Sequence, residues 1–291
     1  MSYHACHLCP RACGVDRAAG QKGFCGQTDQ VKIARAAPHF WEEPVLCGEG
    51  GSGTVFFSGC TLGCVFCQNE EISHGGLGRE VSDLRKVFEN LIDQGVSNIN
   101  LVTATQFLPA VIEALTPKLP VPVVYNCGGY ESVETLKRLE GLVDIYLPDM
   151  KYSGNALAKK LSNAPNYVEI ASAAILEMYR QVGRVQMKGG LLKRGMILRH
   201  LILPGEIDNS LGVLDWVDEH FKPGEILFSL MSQYVPMGRA KTMADLDRTI
   251  SRMEYDAVVS YMDLLGIEDG FTQEFSSAVE EYIPDWDFSG I

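Results

Sequence analysis

The sequence predicts an α/β fold built on a parallel sheet and preceded by a small cysteine-rich segment. Strand and helix patterns alternate for about six units from residue 53 onward. The chain has 291 residues, 46% of them hydrophobic, which suffices for one large domain core with an appendage. Successive βα units join parallel strands through right-handed crossovers, so a doubly wound sheet and a barrel are both possible. Six units are too few for the eight-stranded barrel, and an open, six-stranded partial barrel fits them.

The individual elements follow from short apolar runs and from amphipathic stretches. The predicted buried strands are 53–59, 98–104, 121–126, 143–149, 195–205 and 225–234. The predicted helices are 82–95, 107–116, 132–141, 154–162, 166–182, 209–220 and 243–266. The glycine-rich stretch 47–53 lacks the Lys-Ser/Thr of a P-loop, so we interpret it as a linker. We therefore predict a Cys-rich metal-binding segment over 1–50, a barrel over 51–270 and a C-terminal tail over 271–291.

Composition narrows the function classes. A net charge of −12 disfavours general binding to nucleic acid or to anionic membranes. The N-terminus lacks the apolar core of a signal peptide, and no run of about 18 apolar residues occurs. We therefore expect a cytoplasmic protein that binds neither membrane nor nucleic acid. Because cytosolic thiols stay reduced, its nine cysteines point to metal binding or redox work rather than disulfides.

Polar side chains follow the predicted strands where chemistry gathers in parallel α/β folds, at the carboxyl ends. The first strand leads into three cysteines, and later strands carry titratable or polar groups at their ends. These residues are Thr103, Asn126, Cys127, Asp149, Lys151, Arg199, His200 and Tyr234. Their order alone predicts that they converge on one face of the sheet.

The stretch GCTLGCVFCQN (59–69) spaces Cys60, Cys64 and Cys67 as C-x3-C-x2-C. A structural zinc site is closed by four ligands, whereas an open metal position is used for reaction. Iron–sulfur clusters normally take four cysteines, so three would hold three irons of a [4Fe–4S] cube and leave the fourth for an outside ligand. The alternative is that the three are ordinary core cysteines.

This loop, with Phe66 before its third cysteine, resembles the cluster loop of radical S-adenosylmethionine (radical SAM) enzymes. Further stretches resemble the branch of the pyruvate formate-lyase activating enzyme, in the form that carries an N-terminal Cys-rich segment; they are YNCGGY (125–130), DIYLPDMKY (144–152) and LRHLILPG (198–205). The resemblance implies a partial (β/α)6 barrel. It also implies that a cluster electron cleaves SAM to methionine and a 5′-deoxyadenosyl radical, which abstracts a substrate hydrogen.

The resemblance also implies roles for individual residues. Cys60, Cys64 and Cys67 would ligate the [4Fe–4S] cluster, and Phe66 would lie near the adenine of SAM. The residues expected near the methionyl group are Thr103, Asn126, Cys127, Asp149, Lys151 and Arg199. Two places depart from the family pattern. VTATQF (102–107) replaces the usual Gly-Gly-Glu-like turn, so Thr103, Thr105 or backbone carbonyls would have to bind the SAM amino group. Asn126-Cys127 replaces an acidic and hydroxyl pair.

The N-terminal segment holds Cys6, Cys9, Cys13 and Cys25, spaced C-x2-C-x3-C-x11-C. Four thiolates there could bind zinc or a second [4Fe–4S] cluster, and spacing alone does not separate the two. Nearby basic residues, Arg11, Arg17 and Lys22, would offset the charge of a cluster.

The remaining predictions concern the reaction itself. Tyr234 is the candidate catalytic residue, as an aromatic side chain on the expected active face, with plain packing as its alternative. The expected partners are an electron donor such as flavodoxin or ferredoxin and an unknown substrate. That substrate is a protein such as a glycyl-radical partner, or alternatively a small molecule or peptide precursor. The rival from another class is a non-catalytic iron–sulfur electron-transfer or binding module.

Overall fold

The computed structural model describes residues 2–277 and 285–291. The strands are Lys32–His39 (β1), Ser52–Phe57 (β2), Arg79–Glu80 (β3), Ile99–Val102 (β4), Val123–Cys127 (β5), Ile145–Pro148 (β6), Gln186–Lys188 (β7), Leu191–Leu201 (β8), Leu227–Met231 (β9) and Gly270–Thr272 (β10). The α-helices are Pro44–Cys47 (α1), Glu70–Ser73 (α2), Leu84–Asp93 (α3), Leu108–Ala114 (α4), Val133–Leu136 (α5), Asn155–Ser162 (α6), Tyr167–Val182 (α7), Ile207–His220 (α8) and Arg252–Leu265 (α9).

These strands form one sheet in the order β10-β9-β8-β6-β5-β4-β2-β1-β3, with β7 paired to β8. The pairs from β2 to β10 along this path are parallel, whereas β1 is antiparallel to both β2 and β3. Helices connect most of the successive parallel strands, as the alternating pattern predicts. The predicted α/β partial barrel is confirmed, and its six predicted strands correspond to β2, β4, β5, β6, β8 and β9.

The sheet also contains strands at its edges that the sequence pattern did not reveal. β1 pairs with β2 from Ile33 opposite Phe57 to His39 opposite Ser52, so part of the first 50 residues belongs to the sheet of the barrel. β10 adds three residues in parallel to β9 at the other edge. A three-residue strand is too short for its periodicity to be recognised. The proposed domain boundaries at residues 50 and 270 stay predictions.

The helix predicted over 243–266 is wrong in its first part, because α9 begins only at Arg252. The hydroxyl of Ser251 accepts from the backbone N–H of Glu254, and the carboxylate of Glu254 accepts from the backbone N–H of Ser251. This capping box satisfies two amide groups that would otherwise lack a partner, and so it determines where the helix starts. Gly266, in the left-handed conformation, ends the helix as predicted.

Two layers of apolar side chains cover the sheet. On the outer side, α3 buries the face predicted from its spacing, and Leu84, Val87, Phe88 and Leu91 are all at most 6% exposed. On the inner side, Leu46 of the short helix α1 packs with residues of β5, β6 and β8; they are Val124, Ile145, Leu147, Leu192 and Ile197. The segment between β1 and β2 therefore enters the barrel interior instead of running over its surface as a linker.

The C-terminal residues 285–291 return to β1. The indole of Trp286 contacts Phe56 edge-on, with ring centroids 5.2 Å apart, and Arg35 forms an ion pair with Asp287 at 2.8 Å. Residues 278–284 of the predicted C-terminal tail lie outside the described residues. Within the part of the chain that the structure describes, no helix is both long enough and apolar enough to span a bilayer.

Candidate functional site

A cavity of about 320 Å³ opens at the carboxyl ends of the parallel strands. Ten of the residues predicted to bind the first cluster or SAM line it, whereas Thr105, the alternative to Thr103, does not. The ten are Cys60, Cys64, Phe66, Cys67, Thr103, Asn126, Cys127, Asp149, Lys151 and Arg199. They come from the loop after β2 and from the ends of β4, β5, β6 and β8. These ten side chains therefore meet on one face, whereas His200 and Tyr234, also expected there from strand order, are not among the described residues that line the cavity. The roles of the ten in binding stay predictions.

The cysteine loop leaves β2 through a turn at Gly59. This residue has a φ of +84°, and a side-chain carbon there would lie 2.6 Å from the carbonyl oxygen of Cys25 and 2.5 Å from Gln27. Glycine is needed at this position both for the backbone conformation and for the close approach. The N-terminal segment is thus packed directly against the start of the loop.

Each thiol of the loop contacts a polar partner. The Leu62 amide donates to Cys60 Sγ at 3.4 Å, Ser162 Oγ donates to Cys64 Sγ at 2.9 Å, and Cys67 Sγ donates to Ser73 Oγ at 3.6 Å. Hydrogen bonds of this kind orient cysteine ligands and tune the potential of an iron–sulfur cluster. Burial raises the pKa of Cys67 to about 11 and the pKa of Cys60 further. A bound cation is therefore needed to hold Cys60 and Cys67 as thiolates near neutral pH.

Three charged side chains form a connected group beside the cysteines. Asp149 lies between two cations, with its Oδ2 2.5 Å from Lys151 Nζ and its Oδ1 2.9 Å from Arg199 Nε. Burial alone would raise the pKa of Asp149, but Lys151 and Arg199 outweigh burial and hold it below its usual value. Burial would lower the pKa of Lys151, but the attraction to Asp149 raises it instead. All three groups therefore carry charge, and with at most 20% of each side chain exposed they are not a solvated surface pair.

The end of β5 supplies a neutral partner to this group. Arg199 Nη2 donates to Asn126 Oδ1 at 2.7 Å, which ties the end of β5 to β8. The next residue, Cys127, is only 3% exposed, and burial raises the pKa of its thiol well above the usual value. Asn126 thus positions the guanidinium of Arg199, whereas Cys127 contributes a neutral thiol to the cavity wall.

In the stretch VTATQF (102–107), only one of the two threonines expected to bind SAM reaches the cavity. Thr103 has a φ of +58° and lines the cavity. Thr105 instead donates from its hydroxyl to buried Glu131 Oε1 at 2.6 Å, so its side chain is already used. Gln106 Nε2 donates to the carbonyls of Ser58, Gly59 and Thr103 at 2.8–3.0 Å and so joins the ends of β2 and β4. Sequence reasoning missed Gln106, because a lone glutamine carries no motif.

Tyr234 lies behind the cavity wall and is not among the described residues that line it. Its side chain is 1% exposed, its hydroxyl donates to the Leu246 carbonyl at 2.9 Å, and its ring centroid is 6.1 Å from that of Phe66. These contacts match the packing alternative for Tyr234, and a catalytic role stays a prediction. His200 is also structural in its contacts: Nδ1 lies 2.7 Å from the Met150 carbonyl, Nε2 lies 2.9 Å from Ser210 Oγ, and burial lowers its pKa to about 4.

Two arginines attach the N-terminal cysteine segment to the barrel. Arg17 is 1% exposed and donates to the carbonyls of Gln27 at 3.0 Å and of Gln106 at 2.7 Å; it also bonds the Thr28 carbonyl and contacts Cys6 Sγ at 3.8 Å. Arg11 donates to the Thr61 carbonyl inside the cysteine loop at 2.9 Å. The segment is therefore tied to the same loop that carries Cys60, Cys64 and Cys67.

The four N-terminal thiols differ in exposure. Cys6 is buried, Cys9 and Cys25 are half-buried, and Cys13 is exposed and accepts from the Phe24 amide at 3.3 Å. Burial raises the pKa of Cys9 to about 12. Throughout residues 2–277 and 285–291, no three His, Cys, Asp or Glu side chains converge as ligands of a single ion. The metal of this segment stays a prediction.

Two glutamates that the sequence did not reveal as site residues also line the cavity, Glu42 and Glu43. They precede α1, which carries them into the barrel interior. Glu42 Oε2 lies 3.7 Å from Arg199 Nη1, and burial raises the pKa of Glu42 to about 7, with a further contribution from Glu43. Neither lies in a recognisable motif, and only the path of the chain brings them to the site.

Comparisons with known proteins add a relative and several solved structures. No protein-family model matches the chain. The uncharacterized protein MJ0674 of Methanocaldococcus jannaschii is 29% identical over 273 residues, which cover 89% of this chain and 73% of that protein. Methylornithine synthase PylB aligns with a TM-score of 0.48 and 12% identity, over 73% of this chain and 67% of that one. Streptococcus suis SuiB bound to S-adenosylmethionine aligns with a TM-score of 0.46 and 12% identity, over 76% of this chain and 50% of that one. The chain thus spans about half the length of SuiB.

Proposed function

We propose that this chain is an iron–sulfur enzyme of the radical SAM type. When bound to Cys60, Cys64 and Cys67, a [4Fe–4S] cluster would supply the electron that cleaves SAM to methionine and a 5′-deoxyadenosyl radical, which then takes a hydrogen atom from the substrate. One observation carries the proposal: three cysteines line one cavity together with the buried charged group Asp149, Lys151 and Arg199.

The residues present fit a cluster with an open coordination position. The loop supplies three thiols, one fewer than a closed site requires. Hydrogen-bonding partners lie next to all three sulfurs. The ammonium of Lys151 lies close enough to Cys64 for the thiolate to raise the pKa of the lysine. A positive charge in that position stabilises an anionic cluster.

The charged group fits an amino-acid moiety such as that of SAM. Lys151 and Arg199 present cations to a carboxylate, and Asp149 presents an anion to an ammonium group, in a cavity partly screened from water. Arg199 is already oriented by Asp149 and Asn126, so little side-chain freedom remains to be lost on binding. Phe66, 6% exposed at the cavity wall, offers an apolar surface to the adenine.

The finer identity is part of the same proposal. We place the chain with activating-enzyme-like radical SAM proteins that carry an N-terminal cysteine segment, acting in the cytoplasm with flavodoxin or ferredoxin as electron donor. The substrate is then a protein such as a glycyl-radical partner. Radical modification of a small molecule or a peptide precursor is the alternative, because a common barrel accommodates many substrates.

The test is reductive SAM cleavage by the intact chain. Protein reconstituted with iron and sulfide and then reduced is expected to release 5′-deoxyadenosine from SAM in excess over an unreduced control. An intact cluster that releases none with a competent reductant would overturn the proposal and favour the non-catalytic iron–sulfur module. Iron and zinc counts on the Cys60→Ala and Cys13→Ala variants, compared with this sample, establish which metal the N-terminal cysteine segment holds.

A further inference from the structure

Glu42 and Glu43 form the acidic part of a cavity whose other charges are already paired. Asp149 is balanced by Lys151 and Arg199. Arg199 donates from Nε to Asp149 and from Nη2 to Asn126. Its remaining nitrogen, Nη1, lies 3.7 Å from Glu42 Oε2. That distance is longer than a hydrogen bond. The two glutamates therefore retain acceptor capacity that these described neighbours do not use.

Two further observations show that this capacity is buried. Only 9% of the Glu42 side chain is exposed. Glu43 Oε2 is buried without a hydrogen-bond partner in the described part of the chain. A buried carboxylate without a donor costs several kcal/mol, so the protein gains from any group that supplies N–H donors and positive charge there.

A third side chain points to the same place. Asn100 on β4 is 0% exposed, and neither its Nδ2 nor its Oδ1 makes a hydrogen bond of ordinary length to the described residues. It nevertheless lies close enough to Glu42 to favour the charged form of that carboxyl. Because side chains alternate along a strand, Asn100 shares its face with Val102, which lines the cavity. A fully buried amide without a hydrogen bond of ordinary length thus lies beside the carboxyl of Glu42.

We propose that Glu42, Glu43 and Asn100 bind a protonated amine or guanidinium group of the substrate. The oxygens of the two carboxyls and of the amide provide acceptors for the several N–H donors of such a group, and its positive charge favours the ionised form of Glu42, which burial and Glu43 disfavour. The site shares its cavity with the cysteine loop, so a substrate held there occupies the same cavity as the proposed cluster. That this cation belongs to a substrate rests on the proposed function; that the site binds an organic cation does not.

An organic cation fits these groups better than a metal ion does. Glu42, Glu43 and Asn100 supply fewer oxygen ligands than the octahedral or higher coordination of Mg²⁺ and Ca²⁺ requires. The wall of the same cavity also includes apolar and aromatic side chains, namely Phe56, Met231 and Phe271. Such a wall suits the carbon chain that carries an amine or a guanidinium.

The binding test uses the whole chain and simple probes. n-Butylammonium and n-propylguanidinium are compared with the neutral n-pentanol by ligand-detected NMR. We expect the two cations to bind about tenfold or more tightly than the alcohol, since each charged hydrogen bond contributes about 1.5–3 kcal/mol. Equal binding of the alcohol overturns the proposal, and so does displacement of both probes by K⁺ at equal concentration.

Variants identify the residues responsible. Glu42→Gln and Glu43→Gln are each expected to weaken cation binding about tenfold or more. Glu43→Asp, which keeps the charge, is expected to retain the preference for cations. Glu49→Gln, on the exposed part of the same segment, serves as the matched control and is expected to change nothing. Denaturant unfolding is measured on each variant, and for a variant that fails to fold, the comparison of cation with alcohol on the unaltered chain decides.

Parallel SAM cleavage assays separate the two proposals. Cleavage of SAM without selective binding of the cations overturns only the cation site. Cation binding without cleavage overturns only the proposed function, because the binding assay needs neither reductant nor SAM.

Discussion

The two cysteine regions of this chain differ in what surrounds their sulfurs. Cys60, Cys64 and Cys67 follow a central parallel strand and line a cavity that also contains Asp149, Lys151 and Arg199. Cys6, Cys9, Cys13 and Cys25 belong to an irregular segment held by backbone turns and by the buried guanidinium of Arg17. No residue of that second set is among those that line the cavity.

The contrast suggests a division between reaction and attachment. Three thiols at the edge of an open, charged cavity leave space for a further ligand, which a reaction requires. Four thiols in a segment anchored on carbonyl groups resemble a closed staple. The two regions are nevertheless in contact, because Arg11 reaches the Thr61 carbonyl and Gly59 lies against Cys25. The predictions below test whether the division holds.

The largest expected effect is on the cluster itself. Cys60→Ala is expected to abolish SAM cleavage and to lower the iron content by about four atoms per chain, because only three thiols hold the cluster. Cys13→Ala is expected to keep cleavage, since Cys13 is exposed and outside the cavity. Iron analysis and 5′-deoxyadenosine release measure the two outcomes. Loss of cleavage in both variants would show that the N-terminal region takes part in the reaction.

The second prediction concerns the anchor of the N-terminal segment. Arg17→Ala removes the donor to several buried carbonyls, and each orphaned group costs about 1–3 kcal/mol. We expect the free energy of unfolding to fall by about 3 kcal/mol or more, measured by denaturant titration. The control Arg138→Ala, at an exposed position, is expected to stay within about 0.5 kcal/mol of the unaltered chain. A loss for Arg17→Ala as small as that of the control would mean that the segment is only loosely attached.

The third prediction tests the charged group beside the cysteine loop. Lys151→Gln removes a buried cation that pairs with Asp149 at 2.5 Å. We expect SAM to bind about 10- to 100-fold more weakly, the effect of one charge-assisted hydrogen bond. Equilibrium dialysis with SAM on the reconstituted protein measures it. The control Lys159→Gln is exposed and should leave the affinity unchanged. Unchanged binding by Lys151→Gln would remove Lys151 from the SAM site.

The smallest effect is a pH dependence of thiol reactivity in metal-free protein. Burial raises the pKa of Cys67 to about 11, so its thiolate fraction, and with it the alkylation rate, keeps rising up to about pH 11. An unperturbed thiol levels off near its own pKa of about 8.5. At pH 8 we expect Cys67 to react about tenfold more slowly than such a thiol, because its lower thiolate fraction is partly offset by greater nucleophilicity. Mass spectrometry of alkylated peptides gives the profile, and a plateau near pH 9 would contradict it.

Much of the fold, and the cavity residues at the carboxyl ends of the strands, could be predicted because the sequence patterns that reveal them are local. A buried parallel strand is a short apolar run, and polar residues at its end are adjacent in the sequence. Cys60, Cys64 and Cys67 share one loop, and Asp149 and Lys151 share one strand end. Reading successive strand ends therefore located nine of the ten predicted cavity residues, and the resemblance of the cysteine loop added Phe66.

The errors have physical reasons of the same kind. The start of α9 depends on which side chain caps the backbone amides, and amphipathic spacing does not reveal that choice. Tyr234 was expected at the end of the strand predicted over 225–234, but β9 ends at Met231, and the Tyr234 hydroxyl donates to the Leu246 carbonyl. Its catalytic role stays a prediction. Thr105 was one of the two threonines considered as ligands of the SAM amino group, but its hydroxyl donates a hydrogen bond to Glu131.

The sequence by itself determined the α/β architecture, the three-cysteine loop and the strand ends that meet beside it. Each of these features depends on residues that are adjacent in the sequence. Only the tertiary structure decided that the chain between β1 and β2 turns into the barrel. That turn brings Glu42 and Glu43, more than 100 residues before Arg199 in sequence, to the same cavity. Long-range placement depends on what a whole segment can bury. Here Leu46 packs into the apolar interior formed by β5, β6 and β8, and this packing brings the preceding Glu42 and Glu43 to the cavity.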